Sequence, residues 1–98
     1  MIKIVVDSNK INISGHANYS DSLDIVCASV SSIMYTTVNA ILRFDKDAIT
    51  YEDDGNNVCI TINKELETTK VLIDNMISLY KELESQYPKN IKLKMEEI

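Results

Sequence analysis

The chain has 98 residues, 45% hydrophobic and 26% charged, enough for one compact core over 1–98 and too few for two. Ten Lys plus Arg against fifteen Asp plus Glu leave a net charge of -5. This argues against nucleic acid as a primary ligand, since phosphate affinity comes from basic side chains, and favours a basic protein or peptide partner. The longest uncharged run, Ile25 to Leu42, is interrupted by Ser29, Ser31, Ser32, Thr36, Thr37 and Asn39, so it is not expected to anchor the chain in a membrane.

In chain order, Ile2, Ile4 and Val6 alternate with polar residues, and Ile11 and Ile13 repeat the pattern. These predict two half-buried strands, Ile2 to Asp7 and Ile11 to Gly15. Asp7, Ser8, Asn9 and Lys10 supply turn chemistry between them. Because the first strand starts next to Met1, with no charged and apolar leader pattern, the expected location is cytoplasmic. His16 to Asp24 reads as a polar, irregular loop. From Ile25 the period changes, and Val26, Val30, Ile33, Met34, Thr37, Val38 and Ile41 recur at helical spacing to about Leu42.

Ile49 and Tyr51, the run Asp53-Asp54-Gly55-Asn56-Asn57, and Val58, Ile60 and Ile62 predict a second hairpin. A second helix runs from about Leu66 on Leu72, Met76, Leu79, Tyr80, Leu83 and Tyr87, and Pro88 ends it. Ile91, Leu93 and Met95 make a last strand. The expected class is α+β in two layers, a mainly antiparallel sheet with two helices on one face and the order ββαββαβ. Lys3, Val5, Lys10, Asn12, Thr50, Cys59 and Thr61 fall on the other face.

Chemistry is expected where the one histidine, His16, follows one of the two glycines, Gly15. Cys27 lies near the start of the predicted first helix. With Asp24 as N-cap, Cys27 becomes the N3 residue, beside unpaired amides and the positive helix end, where thiolate is favoured. An imidazole brought to that end would take the thiol proton and return it to a leaving amine, and the amides would hold an oxyanion. Asp24 is expected only to support, as a cap or by orienting His16. Tyr19 and Leu23 are candidate substrate contacts, with Ile25 beside them.

Other readings stay open beside this one. Cys27 fits an inert core thiol, His16 a hydrogen-bonded surface residue, and Asp24 a plain cap. A redox-sensing thiol is a further alternative. Cys59, between Val58 and Ile60, is left out of the site. His16, Cys27 and Cys59 have unsuitable spacing for a metal, so none is expected. With no glycine-rich phosphate loop and no Gly-x-Ser-x-Gly elbow, neither a nucleotide cofactor nor a serine nucleophile is expected.

Gly15-His16-Ala17, followed by Asp24-Ile25-Val26-Cys27-Ala28-Ser29-Val30-Ser31, resembles the ribosomal-processing cysteine protease family, Prp. The element order and the Tyr87-Pro88 exit from the second helix extend the likeness over nearly the whole chain. The resemblance implies a catalytic dyad of His16 and Cys27 in a homodimeric α+β enzyme. Its substrate would be the N-terminal extension of a large-subunit ribosomal protein, and Asp24 is carried over by motif position only. The chain departs from the pattern where Ser22 and Leu23 precede Asp24: the family usually has a glycine two residues before that aspartate and a loop one residue longer. The competing expectation is a non-catalytic dimeric module that binds ribosomal or other basic proteins.

Overall fold

The computed structural model describes residues 1–15 and 21–96, without the side chains of 21–24. Strands β1 (Ile2–Val6) and β2 (Lys10–Ser14) form the first hairpin. Helix α1 (Asp21–Phe44) follows, then strands β3 (Ile49–Asp53) and β4 (Asn57–Ile62), helix α2 (Glu67–Gln86) and strand β5 (Ile91–Met95). The five strands lie in the order β3-β4-β2-β1-β5. All neighbours are antiparallel except β1 and β5, which run parallel in the register Ile2 with Ile91 to Val6 with Met95. The expected two-layer ββαββαβ architecture is therefore the observed one.

Alternation divides the sheet into two faces. Ile2, Ile4, Val6, Ile11, Ile13, Ile49, Val58, Ile60 and Ile91 are buried beneath the helices. The pairs Lys3 with Ser14, Val5 with Asn12, Asn12 with Cys59 and Thr50 with Thr61 share the opposite face. Helix α1 contributes Val26, Cys27, Val30, Met34, Val38 and Ile41 to the core. Helix α2 buries Thr69, Ile73, Met76, Ile77 and Tyr80. Met76 and Tyr80 are buried as the expected series has them, while its face turns further toward Ile73 and Ile77, which sit over the sheet, and Leu72 and Leu83 are only partly buried at the margin. Burial also separates the tyrosines. Tyr80 is enclosed, whereas Tyr35 and Tyr87 are exposed.

Two local devices hold the helices together and close the sheet edge. The Tyr80 hydroxyl donates to the Val30 carbonyl at 2.9 Å, tying α2 to α1 in the buried layer between them. At the edge strand β5, the Leu93 amide donates to a Glu84 carboxylate oxygen at 2.7 Å and the Ile91 amide to the Tyr87 carbonyl at 3.1 Å, so α2 covers an edge that would otherwise invite strand pairing. Ile25–Phe44 is long and apolar enough by composition to cross a membrane, so its serines and threonines do not disqualify it, contrary to the expectation from sequence. Its packing is that of a core helix: Val26, Val30, Met34, Val38 and Ile41 lie against the sheet and α2.

Candidate active site

The expected site lies at the end of the sheet where β2 finishes, beside the starts of β1, β4 and β5. Gly15 makes the exit from β2. Its φ of +81° is in the left-handed region, and an added Cβ would overlap the carbonyl oxygen of Met1. Only glycine meets both demands, of conformation and of space. The turn that delivers the chain to His16 is thus fixed against the start of β1. His16 and Tyr19 themselves lie outside the described residues, as do the side chains of Leu23 and Asp24.

Helix α1 begins at Asp21 rather than after Asp24. Asp24 is therefore inside the first turn and is not the N-cap, and Cys27 is in the second turn rather than at N3. The local sequence explains the difference: Ser20, Asp21, Ser22 and Asp24 are all cap or first-turn residue types, so the sequence offers several starts and the helix takes an early one. The consequence is chemical. At 1.5 Å per residue, Cys27 lies about 9 Å along the axis from the first helical residue. The unpaired amides belong to the first turn, and the dipole effect fades beyond it. Thiolate stabilisation and oxyanion binding by the amides at the start of α1 are therefore not what this geometry offers.

Cys27 is 7% exposed and belongs to the core cluster, with fully buried Val26 before it and Val30 one turn later. Ile25, by contrast, is 66% exposed, so this turn carries one side chain into the core margin and another into solvent. Neither cysteine is in a disulfide. Cys59 is half-buried on the face opposite the helices, between Asn12 and Glu52 in register, with its sulfur 3.9 Å from the Thr61 hydroxyl. The sheet separates it from Cys27. Among the described residues, no group of His, Cys, Asp and Glu is arranged to hold a metal.

One positioning group was not evident from the sequence. The bond from Tyr80 to Val30 fixes α1 one turn beyond Cys27. Its only sequence signal is a tyrosine in an apolar series, since a buried Tyr hydroxyl needs a partner.

The model of a cysteine protease family, Prp, matches residues 1–92, which makes the chain a cysteine protease by class. A ribosomal processing cysteine protease Prp of Mycoplasma pneumoniae is 31% identical over 94 residues, covering 93% of this chain and 91% of that protein. One from Staphylococcus aureus is 29% identical over 96 residues, covering 91% of each. The fold matches that of S. aureus Prp in complex with a covalently linked product peptide, with a TM-score of 0.82 at 24% identity over 98% of this chain and 100% of that one. The chain belongs to the cysteine protease Prp family.

Proposed function

We propose that this cysteine protease removes the N-terminal extension of a large-subunit ribosomal protein, with Cys27 as nucleophile and His16 as general base and acid. The observation that carries the reading is the family match over residues 1–92, which spans both Gly15-His16 and Asp24 to Cys27. The relatives' name as ribosomal processing proteases supports the substrate class, and the product peptide held covalently by the S. aureus enzyme supports a nucleophilic route.

In this mechanism His16 takes the Cys27 proton as sulfur attacks the scissile carbonyl carbon, forming a C–S bond and an oxyanion. Collapse of the tetrahedral species breaks the C–N bond, and the imidazolium protonates the leaving amine. His16 then draws a proton from water, whose oxygen attacks the thioester. The acid forms and the thiol is regenerated. Because Cys27 is beyond the first turn of α1, its ionisation is assigned to pairing with His16 rather than to the helix end. Asp24 has a supporting role only, orienting His16, and Tyr19 and Leu23 contact the substrate.

The enzyme acts in the cytoplasm without a cofactor, and neither nucleic acid nor membrane is its partner. We also take it to be a homodimer. In its favour is the stretch of α1 from Ile25 to Leu42, which carries no charge and exposes Ile25 and Tyr35: two copies carrying -5 each repel least where no charge is present. Light scattering reads the mass directly.

The experiment compares wild type, Cys27→Ala and His16→Ala on a leader peptide of the organism's own ribosomal protein. Cleavage by wild type alone is expected, and cleavage that survives Cys27→Ala overturns the reading. The alternative of a binding module predicts equal, slow alkylation of Cys27 and Cys59. The protease predicts faster labelling at Cys27, slowed in His16→Ala.

A further inference from the structure

A cleft of about 790 Å³ opens at the other end of the sheet, between the β1–β2 turn, the β4–α2 connection and the first turns of α2. The five residues of β2 separate that turn from Gly15, about 15 Å at strand rise, so the cleft is not part of the site that holds Cys27. Its floor is apolar, built from Val6, Ile11, Ile62, Ile73 and Ile77.

Two observations define what it would hold. The first is a set of donors without acceptors among the described residues. The N-cap of α2 is Leu66, which has no capping side chain, and Lys70 is the first residue of α2 whose amide finds a backbone acceptor, the Leu66 carbonyl. Thr69 lines the cleft and is only 3% exposed. Its hydroxyl has no hydrogen-bond partner among the described residues. The other buried threonine, Thr37, donates to the Ile33 carbonyl at 2.8 Å. A buried hydroxyl left in this state requires an acceptor from elsewhere.

The second observation is the charge around the cleft. Asp7, Glu65, Glu67 and Asp74 contribute four carboxylates. Of the two ammonium groups, Lys64 is already bound to Asp45 at 2.9 Å, leaving Lys70. An anion would meet the helix amides but be repelled by this rim. The acceptor is therefore a neutral carbonyl carried by a cationic molecule.

We propose that this cleft docks a basic peptide segment containing an aliphatic residue, with a main-chain carbonyl on the Thr69 hydroxyl and the α2 amides, the aliphatic side chain on the isoleucine floor, and Lys or Arg side chains on the carboxylate rim. That the segment belongs to the body of a ribosomal-protein substrate rests on the proposed function; the docking does not. It gives the enzyme a hold on its substrate remote from the cleaved bond.

The test is an amide NMR titration of full-length Cys27→Ala, which cannot cleave by the proposed route, with acetyl-Lys-Leu-Lys-amide, acetyl-Glu-Leu-Glu-amide and acetyl-leucine. Saturable shifts at Asn63 to Lys70 with the basic peptide alone are expected. They should weaken about fivefold in Thr69→Val, the weight of one ordinary hydrogen bond. Three outcomes overturn the proposal. They are no saturable shift with any probe, stronger shifts with acetyl-leucine, which would make this an anion site, and basic-peptide binding indifferent to Thr69→Val, which would reduce it to surface electrostatics. Cleavage surviving Cys27→Ala would remove the catalytic reading yet leave this measurement standing.

Discussion

Replacing Tyr80 with Phe isolates one hydroxyl in the layer between the helices. The ring is fully buried and the hydroxyl donates to the Val30 carbonyl at 2.9 Å. Val30 lies inside α1, so its carbonyl retains the helical amide four residues on and is not orphaned when the hydroxyl goes. The cost is thus that of an ordinary buried hydrogen bond, about 1 kcal/mol, which lowers the melting temperature of a domain this size by about 4–8 °C. The alkaline limb offers a second signature. Burial pushes the Tyr80 phenol well above its ordinary value, so the folded state holds this proton when the unfolded state has released it. Its contribution is complete below the unfolded value of about 10 and is lost as pH rises toward the folded one. Urea unfolding of wild type and Tyr80→Phe from neutral pH to about pH 10.5 should therefore show a difference that shrinks at the alkaline end. Tyr51, whose phenol is also raised by burial and by Tyr35, is common to both proteins and cancels. Equal stability at neutral pH, or a constant difference across the series, would refute the reasoning.

Three further outcomes rest on the same geometry. Gly15→Ala combines a left-handed backbone with overlap against the Met1 carbonyl; a loss of at least about 2 kcal/mol is expected, with peptidase activity falling further than stability because His16 is the next residue. Glu84→Ala uncovers the Leu93 amide; hydrogen exchange there should accelerate, and concentration-dependent association should appear at the β5 edge. Asp54 accepts from the amides of Asn56 and Asn57, which hold its carboxyl below the usual range. Its contribution is therefore present above the unfolded value and disappears on acidification, and melting measured between about pH 5 and pH 3 should fall less steeply in Asp54→Asn.

Strand alternation made the buried face of the sheet legible, since Ile2, Ile4, Ile11, Ile13, Val58 and Ile60 fall on one side of their strands and are buried together. The parallel partnership of β1 and β5 was not legible, because no local pattern records a contact between Ile2 and Ile91. At the site, Gly15, His16 and Cys27 stood out by scarcity and by resemblance to a known signature. The start of α1 did not, because Asp21, Ser22 and Asp24 compete for the same role. The cleft over α2 left even less trace. Thr69 reads as one more polar residue in a helix, and only packing shows that its hydroxyl is enclosed without a partner among the described residues.

The adjacency of β1 and β5 also bears on how the molecule is made. Strand β5 leaves the ribosome after the other four strands, and until it does one flank of β1 lacks its neighbour and the Ile2 amide lacks the Asn90 carbonyl to which it donates. The turn at Gly15 packs on that same first segment. Ordering of the sheet end at Gly15 therefore waits on contacts between segments far apart in the sequence, which are slow to form, and a nascent chain stalled before Ile91 lacks them.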